Sequence, residues 1–345
     1  MASFNINSTV TTQQTLTGNE IGIVGPDGSI QVLYMSGVVA GDQKTYSPRS
    51  NGRALQVHRA AQRVDRDADR IQPCRQDAYI VTTIQIVVLA IVQGLTEFLP
   101  ISSSGHLVLV PYLVEWQDQG LAFDVAVHFG SLLAVVVFFR DDIAGLLRGG
   151  LQLLGGNANS PQAYMALAIA LGTIPAAAAG LLFASWIEEN LRDPSIIVYT
   201  LAGYGILMAA ADRYAKREKS ITDVRIRDAI VIGVAQALAL IPGTSRSGVT
   251  ITAGRLLGFE RQDAARFSFL LSAPVILLAT VYKGGELVLS DVQVPWGELA
   301  LGVLVSAVVA YLSIEFFMRF VTRIGLAPFA IYRLALAALI AWMLL

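Results

Sequence analysis

Charge is scarce in this chain. Aspartate, glutamate, lysine and arginine make up 15% of its 345 residues, against about 25% in an ordinary soluble domain, and the shortage is concentrated after residue 80. Acids and bases nearly cancel, 26 against 25, for a formal net charge of −1. There is thus no basic surplus of the kind that binds nucleic acid. Cysteine is almost missing: Cys74 stands alone, which excludes an intrachain disulfide and argues against a thiolate metal site. The opening residues carry no apolar stretch of the signal-peptide kind.

Apolar residues fill the gap, at 54% of the chain. After residue 80 they form runs that approach the ~20 residues needed to cross a bilayer. Residues 1–80 differ: scattered Gly, Ser, Thr and Asn lead into an Arg/Asp-rich stretch from Arg49 to Asp77. Within residues 1–80, Ile21–Val39 predicts a β-hairpin around Pro26-Asp27-Gly28, and Arg59–Ile71 an exposed helix. The segment reads as a disordered or start-site-artefact extension, because Val81-Thr-Thr-Ile-Gln is a good beginning for a membrane protein and GUG can initiate translation.

From Val81 the hydropathy pattern predicts an all-α polytopic membrane protein. A helix over about 82–99 is broken at Pro100-Ile-Ser-Ser-Ser-Gly and followed by a short helix to about Val114. Spans are then predicted over Leu121–Arg140, Ala163–Trp186 and Ser195–Arg213. After a charged loop, Asp212–Asp228, the pattern returns: a helix over Ala229–Leu240, a break at Pro242-Gly243, a short helix over Ser245–Leu257, and spans over Ala264–Tyr282, Trp296–Phe320 and Ala327–Leu345. The return is visible residue by residue at an offset of 143, which pairs Gln93 with Gln236, Ser102 with Ser245, Ser104 with Ser247 and Gly105 with Gly248. Pro175 and Pro328 pair at the larger offset of 153.

The membrane domain, 81–345, therefore reads as two repeats, about 81–213 and 226–345. Each is a re-entrant helical hairpin plus three transmembrane helices, six spans in total. Three spans per repeat invert the second copy, and broken helices of such inverted repeats meet near the bilayer midplane, where sites are found. Arg213, Lys216, Arg217, Lys219, Arg225 and Arg227 place the central loop in the cytoplasm. Arg140, Arg148, Arg319 and Arg323 fall on the same side, whereas Glu188, Glu189, Asp193, Glu286 and Asp291 fall opposite. Trp296 and Tyr282 read as interface anchors.

Two stretches interrupt the apolar pattern with chemistry: QGLTEFLPISSSGH (Gln93–His106) and IPGTSRSGVT (Ile241–Thr250). Ionisable groups at membrane depth are costly and mark sites. Gln93 and Glu97 share a helix face. Ser102, Ser103, Ser104 and His106 follow the first break; Ser245, Arg246, Ser247 and Thr250 follow the second. Hydroxyls and free N–H groups at helix N-termini bind phosphate, and an arginine fork suits its oxygens. A carboxylate can hold Mg²⁺ or Ca²⁺, and a histidine can be base or nucleophile, with a neighbouring serine the other candidate nucleophile. Taken singly, each residue has a plainer reading, as cap, packing hydroxyl or structural ion pair. Their joint occurrence on two related breaks favours a site. His128 and Asp124 read as structural because the second half holds no match, Glu315 and Arg319 as a helix pair, and Arg333 as a snorkelling arginine.

QGLTEFLPISSSGH and PGTSRSGVT resemble the two signature motifs of the undecaprenyl-diphosphate phosphatases of the bacitracin-resistance (BacA/UppP) type. The resemblance extends over about Val81–Leu345, including PFAIYR near the end, and not over residues 1–80. It implies a bacterial inner-membrane, multi-pass hydrolase that removes the terminal phosphate of a C55 polyprenyl diphosphate. Such a step recycles the lipid carrier for peptidoglycan and confers bacitracin resistance. It further implies Glu97, His106, Ser103 and Arg246 as catalytic residues, with Ser103 or His106 attacking. Glu97 is the implied metal carboxylate for a divalent cation, Mg²⁺ or Ca²⁺; Gln93 supplies no second anion. Diphosphate binding is implied for Ser102, Ser104, Ser245, Ser247, Thr250 and Gln93. The implied partners are the polyprenyl lipid and the surrounding membrane lipids, with a homodimer left open.

The main alternative is a polyprenyl-phosphate transporter or flippase using the same anion site. Transport needs only binding groups, whereas His106 beside a serine run supplies the base and nucleophile that hydrolysis requires. A different lipid-phosphate phosphatase would carry another Arg/His motif set, which is not found here.

Overall fold

The computed structural model of the chain describes residues 20–24, 30–34, 82–116, 119–191, 193–289 and 295–344. Two short strands, β1 (Glu20–Val24) and β2 (Ile30–Tyr34), pair antiparallel with Glu20 opposite Tyr34 and Val24 opposite Ile30. They form the hairpin expected within Ile21–Val39. Its turn, the helix expected over Arg59–Ile71 and the reading of residues 1–80 as a disordered or artefactual extension lie outside the described residues. The strands fall in one unit, Met1–Ala78, and the described helices in another, Tyr79–Leu345.

Local signals start the helices where the sequence places them. The first, α1 (Thr83–Phe98), opens on a capping box: the Thr82 hydroxyl accepts the Gln85 N–H, and the Gln85 side chain accepts the Thr82 N–H. After the break comes α2 (Ser103–Leu113), then α3 (Gly120–Phe138) and α4 (Arg140–Leu154). Both α5 (Pro161–Asn190) and α6 (Pro194–Tyr214) begin with proline, behind Ser160 and Asp193 side chains that accept the N–H groups of Ala163 and Ser195. A single 3₁₀ turn, Ile221–Asp223, precedes α7 (Ile226–Ala237), which tightens into another at Leu238–Leu240. The remaining helices are α8 (Arg246–Leu256), α9 (Arg261–Leu289), α10 (Trp296–Ile324) and α11 (Ala327–Met343).

This unit is a polytopic, all-helical membrane protein. Pro161–Phe183, Ser195–Tyr214, Arg261–Leu287 and Trp296–Ile324 are each long and apolar enough to cross a bilayer, and the α3–α4 pair makes a fifth if taken as one bent span. Three expectations change. The run Leu121–Arg140 ends at Phe138, where the chain turns by 89° into α4. That amphipathic helix has Asp141 and Asp142 in its first turn and exposes Leu147, Leu151 and Leu154; acidic residues there complement the N-terminal end of the helix dipole. The run Ala327–Leu345 yields a shorter apolar helix, Ala327–Met343. Pro175 and Pro328, paired by sequence, hold different places: Pro175 lies inside α5, and Pro328 in the first turn of α11.

Helix contact inside a bilayer lacks a hydrophobic drive and depends on close backbone approach at small residues. Helix α10 packs along α3 and α1. A Cβ added at Gly94 of α1 would lie 2.8 Å from the Ser306 carbonyl oxygen and from Val309 Cβ. Likewise α7 meets α5, where a Cβ at Gly233 would overlap the Gly172 carbonyl. At the end of α6, buried Asp212 accepts two hydrogen bonds from Arg261 (2.7 and 2.8 Å) and one from the Leu326 N–H (3.0 Å), and it lies 3.4 Å from Arg255. One carboxylate thus joins α6, α8, α9 and the start of α11.

Candidate active site

Both broken hairpins turn on a serine in an unusual conformation. Among the described residues three non-glycine residues have positive φ: Ser102 (77°), Glu115 (54°) and Ser245 (69°). A side chain in that region costs about 1–3 kcal/mol and persists only where its surroundings impose it, most often at functional sites. Ser102 and Ser245 are the N-cap residues of α2 and α8. Those helices begin 143 positions apart and end 143 positions apart, as α1 and α7 begin 143 apart.

The second tip is seated on α6. Gly243, at φ +85°, lies so close to Thr200 that a Cβ would overlap its hydroxyl, and the Thr200 hydroxyl donates to the Pro242 carbonyl at 2.7 Å. The two tips then touch: the Ser247 hydroxyl donates to the Leu99 carbonyl at 3.1 Å. Their N-termini differ. Ser245 caps α8 by accepting the Gly248 N–H at 3.2 Å, whereas Ser102 makes no side-chain cap bond to α2. The N-terminus of α2 is therefore the one left open for an anion.

Glu97 is where the halves meet. It is 7% exposed. One oxygen, Oε1, accepts from Arg246 Nη2 at 2.6 Å; the other, Oε2, accepts from Ser103 Oγ at 2.6 Å and Gln93 Nε2 at 3.0 Å. A guanidinium from the second hairpin and a hydroxyl from the first thus share one carboxylate. The Arg246 guanidinium sits over the Phe98 ring, 5.7 Å from its centroid. Its Nη1 is buried without a hydrogen-bond partner, which leaves a charged donor unspent.

His106, on α2, is fixed at both ring nitrogens. Nδ1 lies 2.7 Å from the Ser102 carbonyl, which can only accept, so Nδ1 carries the proton. In the neutral ring Nε2 then holds the lone pair and accepts the hydroxyl of Tyr332 at 2.6 Å.

The remaining expected residues are distributed unevenly. Gln93, Glu97, Ser103 and Arg246 form one network. The hydroxyls of Ser102 and Ser104 face each other at 3.4 Å, those of Ser245 and Ser247 at 3.3 Å. Thr250 is fully buried, donating to the Arg246 carbonyl and lying 2.6 Å from Ser268 Oγ. Glu315 and Arg319 are the expected helix pair, at 2.7 Å. Arg333 does not snorkel: it is 1% exposed and hydrogen-bonded inside the protein, because backbone carbonyls within reach hold its guanidinium.

Sequence reasoning missed three neighbours of the site. His128 Nε2 lies 3.7 Å from Glu97 Oε2, with Nδ1 held by the Asp124 carbonyl; an ionisable residue in an apolar span was the available signal. Tyr332 and Arg333 carried the same signal within the apolar α11.

Among the described residues no group of three or more His, Cys, Asp or Glu could enclose a metal ion. A hard cation held by one carboxylate, waters and phosphate oxygens needs no such cage. Beside Glu97, Gln93 Oε1 is buried and unpartnered. That oxygen donor set fits a weakly held Mg²⁺ or Ca²⁺ and not a zinc-type site. Gln236, 143 positions after Gln93, is also buried, with both amide atoms unpartnered.

Known proteins resemble this chain over most of its helical unit. The sequence profile of the family described as "Bacitracin resistance protein BacA" matches residues 86–339. A protein of Hahella chejuensis named "Undecaprenyl-diphosphatase" is 53% identical over 263 residues, 76% of this chain and 98% of its own. "Undecaprenyl-diphosphatase 2" of Stutzerimonas stutzeri is 53% identical over 260 residues, 74% and 96% of the two chains. A third, from Teredinibacter turnerae, is 51% identical over 257 residues, 74% and 97%. The chain belongs to the BacA family of bacitracin-resistance proteins.

Proposed function

We propose that this protein hydrolyses undecaprenyl diphosphate to undecaprenyl phosphate and inorganic phosphate in the bacterial inner membrane, recycling the carrier lipid of peptidoglycan synthesis and conferring bacitracin resistance. One observation carries the reading. Glu97 contacts Ser103 and Arg246 at 2.6 Å each, so a nucleophile, its base and a phosphate-binding guanidinium lie in one hydrogen-bonded group. A transporter would need the guanidinium but not the Ser103–Glu97 dyad.

Incoming diphosphate oxygens meet the unspent Arg246 Nη1 and the open N-terminus of α2. As Arg246 turns from Glu97 to the phosphate, Glu97 is released to act as a base. Ser103 Oγ attacks the terminal phosphorus and passes its proton to Glu97. The bond from phosphorus to the bridging oxygen breaks, and undecaprenyl phosphate leaves with both bridging electrons. Water then cleaves the phosphoserine, returning the Ser103 hydroxyl. The neutral His106 Nε2 handles a proton in the second step, with Tyr332 as the donor it exchanges with. A divalent cation held by Glu97 and Gln93 would neutralise charge on the transferring group, where most catalysis of phosphoryl transfer arises.

The architecture supporting this site is proposed as an inverted repeat, about 81–213 and 226–345, with α3–α4 and α11 completing six spans. The 143-residue recurrence of the hairpin helices supports it. So does an exchange of contacts: α1 of the first half packs on α10 of the second, and α7 of the second on α5 of the first. The cationic loop after α6 is assigned to the cytoplasm.

The test is phosphate release from C55 diphosphate by purified protein in detergent, with and without Mg²⁺ or Ca²⁺, beside Arg246→Ala and His106→Ala. Cation-dependent release lost in both variants supports the reading. A folded wild type that binds the lipid and releases nothing overturns it in favour of transport. Trapped phosphoenzyme stable to acid identifies Ser103; acid-labile phosphate transfers the role to His106.

A further inference from the structure

Arg333, on α11, occupies a place that helix packing alone does not explain. It is 1% exposed, and among the described residues no carboxylate pairs with it. Its guanidinium instead donates to four backbone carbonyls: Nε to Leu201 (3.3 Å), Nη1 to Pro100 (3.4 Å), and Nη2 to Thr200 (3.3 Å) and Gly243 (3.0 Å). Two of these belong to α6. The other two belong to the hairpin tips, and they are equivalent: Pro100 and Gly243 stand 143 positions apart, each two residues before a positive-φ serine.

We propose that Arg333 is a positioning residue of the phosphate site, its one planar fork gripping the same carbonyl in both tips. A peptide unit whose carbonyl points at Arg333 points its N–H the other way. The grip therefore fixes the orientation of the backbone that leads into Ser102 and Ser245, and through them the N-termini of α2 and α8. It also accounts for how two strained serines persist, since such conformations need surroundings that impose them. A buried guanidinium without a counter-ion is costly. Here the missing counter-ion has a counterpart in the ligand: Glu97, Arg246 and Arg333 sum to one positive charge before substrate arrives, which suits an anion with several charges.

A lysine separates this role from mere packing. Its ammonium keeps the charge but radiates its donors from one point and cannot span carbonyls on two tips and α6. The proposal rests on the hydrolase reading for its kinetic arm alone. Arg333→Lys and Arg333→Met would be purified in detergent and measured for kcat and KM on C55 diphosphate. Their backbone amide exchange would be followed by mass spectrometry. The expected result is a loss of about 100-fold in kcat/KM in both variants, the scale of a small misplacement of reacting groups. Deuterium uptake should rise in segments 99–105 and 242–248, while α9 and α10 stay unchanged. Uptake unchanged at both tips, or lysine restoring kcat/KM to the wild-type value, overturns the proposal. So does uptake that rises along α6 and α11 alone. If Arg333→Met does not fold, Arg333→Lys decides. If the wild type releases no phosphate, the hydrolase reading fails, and the exchange data still decide whether Arg333 holds the tips.

Discussion

Replacing Glu97 by glutamine tests the central idea that substrate and carboxylate compete for Arg246. The change keeps the side-chain shape and removes the charge. Glu97 is 7% exposed and Arg246 is 14% exposed, so the variant strands a largely buried guanidinium. Breaking a buried pair from one side costs about 3–5 kcal/mol; the retained amide oxygen can still accept from Arg246, which puts the expected loss at or below the lower end. Catalysis should suffer more specifically. Loss of a positioned base slows a reaction by about 10²–10⁴-fold, or roughly 3–5 kcal/mol of barrier. Binding should move the other way. In the wild type, diphosphate must draw Arg246 off a 2.6 Å charged hydrogen bond, an interaction worth about 1.5–3 kcal/mol. With glutamine that opposition weakens, and KM should fall by up to about tenfold. The assay is steady-state phosphate release at saturating divalent cation, with melting in detergent as the folding control and Arg246→Ala alongside. The alanine variant should raise KM and lower kcat together. Glu97→Gln retaining more than about a tenth of kcat, or raising KM as Arg246→Ala does, refutes the competition.

Three further outcomes follow from the packing and the second layer of the site. Tyr332→Phe removes the hydroxyl on His106 Nε2 at 2.6 Å; one hydrogen bond of about 0.5–1.5 kcal/mol predicts a kcat lower by roughly 2- to 13-fold, read from initial rates, with at most a small drop in melting point. Gly94→Leu drives a side chain into the Ser306 carbonyl and Val309, and a cost of at least 1–3 kcal/mol from overpacking should appear as a clear drop in melting midpoint in detergent. Asp212→Ala leaves Arg255 and Arg261 without their shared carboxylate; about 3–5 kcal/mol of destabilisation is expected, with kcat of the surviving folded fraction little changed, measured by melting and active-site titration.

The parts that were legible in the sequence are those where polarity breaks an apolar background. Gln93, Glu97, Ser103 and Arg246 stand out in that way, and the structure brings those four together. The starts read from hydropathy, at about residue 82, Ala163 and Ser195, fall within two residues of the observed Thr83, Pro161 and Pro194, where caps and prolines act locally. The bend after Phe138 was not, because hydropathy reports how apolar a run is and not its direction. His128 and Arg333 were discounted for opposite reasons. His128 lacked a partner in the second half, although its real partner, Glu97, lies in the first. Arg333 was granted a route to the membrane surface, although carbonyls from distant segments were within its reach. Those two contacts join residues 233 and 90 positions apart and leave no periodic trace.

The division of labour between the halves explains why neither hairpin is a site by itself. The first supplies the carboxylate, the hydroxyl beside it and the open helix end, and the charge of the carboxylate opposes the anion that the helix end attracts. The second supplies Arg246, and its own helix end is closed by the Ser245 cap. Only where Ser247 meets Leu99 and Arg246 meets Glu97 do base and anion-binding groups share one volume. On the proposed mechanism the resting pair keeps the base engaged until an anion strong enough to claim Arg246 arrives. A diphosphate carries more charge than the monophosphate product, so the same guanidinium that admits substrate gives up the lipid product more readily. On this reasoning the Glu97–Arg246 contact is both the seam of the fold and the discriminator between substrate and product. Undecaprenyl phosphate should accordingly inhibit the wild type weakly, and Glu97→Gln markedly more, in competition assays of phosphate release; equal inhibition of the two would separate the seam from the discrimination.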